Sequence, residues 1–168
     1  MRPHRAAGRA TSVAPGGSMA TPDAGQLLAQ LVPFVRTLDL SIAPVTTPGQ
    51  ATVTLPSRPA VHNHMGTAHA GAAYTAAESA SGAAALSLFA DVVAKGAYVA
   101  LKSSSVTHQK ARAGDVVAHA KIDGAPADLR AAYRETGKVD FDAVVDLSVE
   151  GVPTARMVFV WAVRKPRT

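Results

Sequence analysis

The stretch from Asn63 to Glu78 holds the chain's densest set of groups able to do chemistry. Asn63-His64-Met65-Gly66-Thr67-Ala68-His69-Ala70-Gly71 is followed, seven residues after Gly71, by Glu78. Gly66 and Gly71 permit tight backbone approach at a loop-to-helix junction. There the unpaired N–H groups of a helix N-terminus can polarise a carbonyl oxygen. Glu78 falls about two turns into the helix that follows, beside Ala76, Ala77 and Ala80. An unpaired buried charge costs several kcal/mol, so its presence marks a function or a pairing partner. Cysteine is absent, which excludes disulfides, thiolate nucleophiles and thiolate metal sites. His62, His64, His69 and Glu78 lack the spacing of a metal-binding helix or any hydrolase cluster, so no metal is expected.

The hydrophobic pattern predicts the elements that must position these groups. An amphipathic helix runs over 26–35 after the start signal Thr21-Pro22-Asp23 and packs on the outside of the domain. Residues 38–45 and 51–55 read as strands of a first hairpin, turned by Thr47-Pro48-Gly49. The loop over 57–69 delivers the chain to a helix over 70–90, helical by its Ala content and length. Its side chains are nearly all small, so a curved sheet can wrap it closely and another subunit can approach it. Four more strands follow over 97–108, 115–123, 139–150 and 154–164, with a short helix over 126–137 ended by Gly137. In the third of these, Val139, Phe141, Ala143, Val145, Leu147 and Val149 share one face. The order strand, strand, long helix, four strands implies an α+β domain: one curved antiparallel sheet around one central helix. Two such sheets side by side would cover each other's edges, so a dimer is expected.

The pattern Asn-x-x-Gly-Thr-x-His-x-Gly, then an acid seven residues on at the head of an Ala-rich helix, closely resembles hotdog-fold acyl-CoA thioesterases of the phenylacetate-pathway type. Gly137-Lys138-Val139-Asp140-Phe141 and the closing hairpin look like that superfamily too, so the resemblance covers residues 24–165. It implies a hotdog fold and hydrolysis of a thioester, with no metal or redox cofactor. Glu78 would act as general base on water or as nucleophile, and Asn63 would position the water or the carboxylate. The site would be shared across a homodimer, or a dimer of dimers, the loop of one subunit facing the acid of the other. Gly71 and Gly66 would form the oxyanion-binding turn. His69 would be a ligand-facing donor or make a structural hydrogen bond. Tyr74 would line the acyl tunnel or pack in the core, and Lys110 and Arg112 are candidates for the phosphates of CoA. Family members often carry a Ser or Thr on the strand after the helix to assist the acid. Ser103, Ser104 and Ser105 qualify, and strand parity turns Ser103 toward the helix with Leu101 and Ser105. Two positions depart from the family pattern: Ala70 replaces a second Gly, and Glu78 stands where the closest branch has Asp, although related hydroxybenzoyl-CoA thioesterases use Glu.

Two other readings compete. A hotdog hydratase or dehydratase would pair His64 with Glu78, fourteen residues on, but the Pro-rich turn between such residues is missing. A noncatalytic acyl-binding module would need the fold alone. A formal net charge of +5 invites a nucleic-acid partner, yet Arg2, Arg5 and Arg9 precede the first acidic residue, Asp23; without those three the balance is +2. Only 5% of residues are aromatic, with no stacking platform among the cations, so no nucleic acid is expected. Residues 1–20 read as a disordered extension, with Met19 an alternative start, and residues 21–168 as the single domain. No apolar secretion segment is seen, and the Ala-rich helix reads as buried rather than membrane-spanning. A cytoplasmic location fits both.

Overall fold

A computed structural model describes residues 23–166; the extension expected over 1–20 lies outside the described residues. The chain opens with two short helices, α1 (Ala24–Leu31) and α2 (Pro33–Thr37), where the pattern predicts one. Pro33 is the reason. It has no N–H to donate and forces the residue before it out of the helical region, and Val32 accordingly sits at φ −118°, ψ 93°. Strand β1 (Ser41–Ile42) is shorter than predicted and pairs with β2 (Gln50–Leu55). On its N-terminal side, Leu38 and Leu40 donate back to Phe34 and Val35 of α2. On the other side Pro44 interrupts the ladder, and the Val45 N–H goes to the Asp23 carboxylate at 2.9 Å.

The long helix α3 (Ala70–Val93) is followed by β3 (Tyr98–His108), β4 (Val116–Ile122), α4 (Pro126–Thr136), β5 (Lys138–Val149) and β6 (Val152–Arg164). All strand pairs are antiparallel, in the order β1-β2-β4-β5-β6-β3. The sheet packs one face on α3, and the fold is the hotdog fold. Gly137 ends α4 in the left-handed conformation, φ 73°. The β5–β6 hairpin turns at Glu150 and Gly151, both at positive φ, the geometry that matches the strands' right-handed twist.

Helix α3 fits inside the sheet because it offers little bulk. Ala76, Ala77, Ala80, Ala83, Ala84 and Ala85 are fully buried. The large core side chains come mostly from the strands, among them Phe141, Leu147, Met157, Phe159 and Trp161. Phe89, the one aromatic in the second half of α3, stacks on Phe141 with ring centroids 5.7 Å apart. The Trp161 indole N–H donates to the buried Ser81 Oγ at 3.0 Å, and the Ser81 hydroxyl donates to the Glu78 carbonyl at 2.8 Å. That chain of bonds pins β6 to the middle of α3.

Replacing Ser81 by Ala leaves the indole N–H buried without an acceptor. A loss of about 1–3 kcal/mol is expected in chemical denaturation. The double variant Ser81→Ala/Trp161→Phe should lose less than the sum of the two single variants, because both partners of one bond are then gone.

Candidate active site

The loop before α3 is closed by Asn63. Its Oδ1 accepts the Met65 N–H at 2.9 Å and the Thr67 N–H at 3.2 Å, while Nδ2 donates to Thr67 Oγ1 at 2.9 Å and more weakly to the Ala68 carbonyl. The backbone adds Asn63 N–H to Thr67 O at 2.8 Å and His69 N–H to Val61 O at 2.8 Å. Asn63 thus holds the shape of the loop whose exit delivers the helix. Gly66 has φ +73° with open space where a Cβ would go. It serves the turn's dihedral, and apart from its chain neighbours no group among the described residues lies within 4 Å of that position.

His69 is the N-cap of α3, its Nδ1 accepting the Gly71 N–H at 3.0 Å. In a neutral ring this puts the proton on Nε2. The Gly71 amide, predicted as an oxyanion donor, is therefore occupied by its own neighbour. The N–H groups of Ala70 and Ala72 have no acceptor among the described residues, so these two carry the free donor capacity of the helix N-terminus.

Glu78 lies half-buried on α3. Its carboxylate makes no hydrogen bond or ion pair among the described residues, and burial pushes its pKa above the ordinary 4.5. One turn earlier Tyr74 packs on Phe159 with ring centroids 5.3 Å apart and shares a hydrogen bond with Ser104 Oγ at 2.9 Å. One turn later Gly82 lies against the Trp161 ring. Glu78 stands between them on the stripe that faces β6 and β3.

The prediction that Ser103 turns toward the helix is corrected. A register shift falls between Leu101 and Ser103, so that Leu101 pairs with Trp161 but Ser104, not Ser103, pairs with Phe159. The extra residue, Lys102, forms an ion pair with Asp140, and Ser103 and Ser105 pair with Val160 and Val158. Because the bulge resets the alternation of faces, Ser104 is the serine on the helix side. Nothing in the sequence signals this: Lys102-Ser103-Ser104-Ser105 is polar throughout and has no alternation to read.

A cavity of about 280 Å³ opens beside the first turn of α3, between the Asn63 loop and the segment after β3. Asn63, Met65, Ala70, Ala73, His108, Lys110 and Arg112 line it, with Leu147, Val149 and Ala155 from β5 and β6; Glu78, Tyr74 and Ser104 do not. Arg112 is paired with Glu150, whereas Lys110 is exposed and has no ion pair among the described residues. His62 bonds Ser57 at 2.9 Å, and His64 is exposed, with no hydrogen bond to Glu78. The candidates thus fall into two groups within the chain: loop, helix N-terminus and Lys110 around the cavity, and Glu78, Tyr74 and Ser104 along the edge strand.

A sheet wrapped round a helix that carries an unpaired acid among small buried residues defines a hotdog-fold domain with a candidate catalytic carboxylate. The chain belongs to the family described as a domain of unknown function, DUF4442, whose model matches residues 24–163. Among solved structures it is similar to PA5026 of Pseudomonas aeruginosa, a protein of unknown function described as a probable thioesterase. The two are 25% identical over 85% of this chain and 94% of that one, with a TM-score of 0.72. It shares its fold with a variant of thioesterase PA1618 from the same organism (22% identity, 87% and 96% of the two chains, TM-score 0.66). It also shares it with a thioesterase family protein of Silicibacter pomeroyi (20% identity, 85% and 97%, TM-score 0.66). Among curated proteins there is no match.

The raised pKa of Glu78 links to stability with a definite sign. Between 4.5 and the higher native value the folded state holds a proton that the unfolded chain has lost. Stability therefore falls as pH rises through that window and stays reduced above it. Glu78→Gln should melt higher than the parent protein at pH 7–8, and the difference should shrink as the pH is lowered toward 4.5 in a thermal-melt series.

Proposed function

We propose that the protein hydrolyses acyl-CoA, or acyl-carrier, thioesters to free acid and thiol. The observation that carries this reading is the unpaired, half-buried Glu78 carboxylate on the central helix of a hotdog fold. Its raised pKa makes it a stronger base than a solvated carboxylate, which suits proton abstraction near neutrality. The carboxylate takes a proton from water as the water oxygen attacks the thioester carbon. Backbone N–H groups at the head of α3 hold the developing oxyanion. The tetrahedral adduct then collapses with cleavage of the C–S bond, and the thiolate leaves with little need of an acid. No metal or redox cofactor is required.

The two groups of site residues meet in this reading through a homodimer. Strand β3 is a sheet edge, exposed along most of its eleven residues and hydrogen-bonded only to β6. A long open edge of this kind is a template for a second strand. A partner's β3 laid along it would bring the partner's loop toward Glu78 and cover Tyr98 and Val106, which are 44% and 41% exposed. Ser104, bonded to Tyr74, would help position the carboxylate, and Lys110 would meet a phosphate of CoA. A cytoplasmic location suits such a substrate.

Thiol release from a panel of acyl-CoAs tests the proposal. Glu78→Gln should lower kcat/KM by roughly 10²–10⁴, and the low-pH limb of kcat/KM in the parent should have its midpoint above 4.5. Sedimentation should give twice the chain mass. Unchanged turnover in Glu78→Gln would remove Glu78 from the mechanism, CoA-ester binding with no thiol release by the parent would leave a noncatalytic binding module, and hydration of an enoyl-CoA without thiol release would favour the hydratase reading through His64.

A further inference from the structure

The cavity beside the first turn of α3 has a size and a lining that say what it holds. Its helix wall is Ala70 and Ala73, and its floor is Val116, Leu147, Val149 and Ala155. No floor residue carries a polar side chain. Leu147 and Val149 are each 1% exposed, and the backbone of Gly114 presses on Val149 so closely that a Cβ there would lie 2.8 Å from its Cγ1. The floor therefore has no room to recede. The rest of the lining is largely polar: Asn63 and Thr67 on the loop, His108, Lys110 and Arg112 at and after the end of β3, and Thr154 of β6. A carbonyl resting on the Ala70 and Ala72 amides has this apolar recess beside it.

We infer that the cavity receives the acyl group of the substrate and limits it to at most about ten carbons, straight-chain or aryl, since about 150 Å³ of apolar space holds one benzene ring and this cavity, its polar side and open mouth included, has about 280 Å³. The polar, anionic CoA arm leaves past Lys110, and acyl chains of sixteen carbons do not fit. Ala73 in the helix wall and Val149 in the floor set the limit. This rests on the thioester-hydrolase reading above, and the test separates the two.

Kinetics on butanoyl-, octanoyl-, dodecanoyl-, hexadecanoyl- and phenylacetyl-CoA are compared for the parent, Ala73→Leu and Val149→Ala. Hydrolysis should peak at or below about ten carbons. Ala73→Leu fills the recess, so the ratio of octanoyl to butanoyl kcat/KM should fall about tenfold. Val149→Ala should move the dodecanoyl to octanoyl ratio the other way; it is the second measurement should Ala73→Leu fold poorly. A maximum at sixteen carbons, or ratios that neither variant moves, overturns the inference and leaves the hydrolase reading standing. If no acyl-CoA releases thiol, that reading fails, and calorimetry with the free acids decides the cavity. Binding that stops at the same length, and at a shorter one in Ala73→Leu, keeps the size limit; no binding, or binding indifferent to length, overturns it.

Discussion

A sheet can close around a helix only if the two backbones come near each other, and that is possible only where the helix carries short side chains. The row of fully buried alanines on α3 meets this condition, and the sheet supplies the volume with Phe159, Met157, Leu147 and Trp161. Dense packing of this kind tolerates little adjustment. It also governs the chemistry. Glu78 is the one charged residue between Ala70 and Ala90, and the residues one turn away on either side are Tyr74, Thr75, Ser81 and Gly82. None of these can neutralise it. The packing rule that makes the helix burial possible thus also leaves a carboxylate without a partner and raises its pKa.

The same helix ends in a way that suits an anion. No acidic residue occupies the first turn of α3, so the partial positive charge of the helix N-terminus meets no charged side chain of its own. His69 satisfies one amide with a neutral ring nitrogen, and the amides of Ala70 and Ala72 have no acceptor among the described residues. The loop that sets this geometry is held by the Asn63 side chain, which uses both ends of its amide within five residues. A binding surface made of backbone donors needs rigid support. Asn63 provides it from inside the loop, and the two-residue bridge between His62 and Ala68 provides it from the sides.

Much of this was readable from the sequence, and the reason is periodicity. Alternation on 139–150 and on 154–164 fixed both strands and their buried faces, and the lengths of the alanine run and of the loop before it fixed the helix start at Ala70. Elements whose pattern is weak or interrupted were read less well. The helix over 26–35 is broken because one proline outweighs an amphipathic pattern. The strand over 38–45 shrinks to two residues because Leu38 and Leu40 donate back to α2, Pro44 has no N–H, and Asp23, distant in sequence, takes the Val45 donor.

The sequence by itself determined the type of fold, the position of Glu78 on a helix of small residues, and the turn that precedes it, because each follows from local spacing and side-chain size. Tertiary structure decided which serine faces the helix, since a bulge is set by pairing with β6 rather than by the residues of β3. It decided that Arg112 is tied to Glu150 while Lys110 is not, and that His69 caps Gly71. It also decided that an apolar recess forms where the loop, the helix and the far ends of β5 and β6 converge. These depend on distances between segments far apart in the chain, and such distances leave no periodic trace in the sequence.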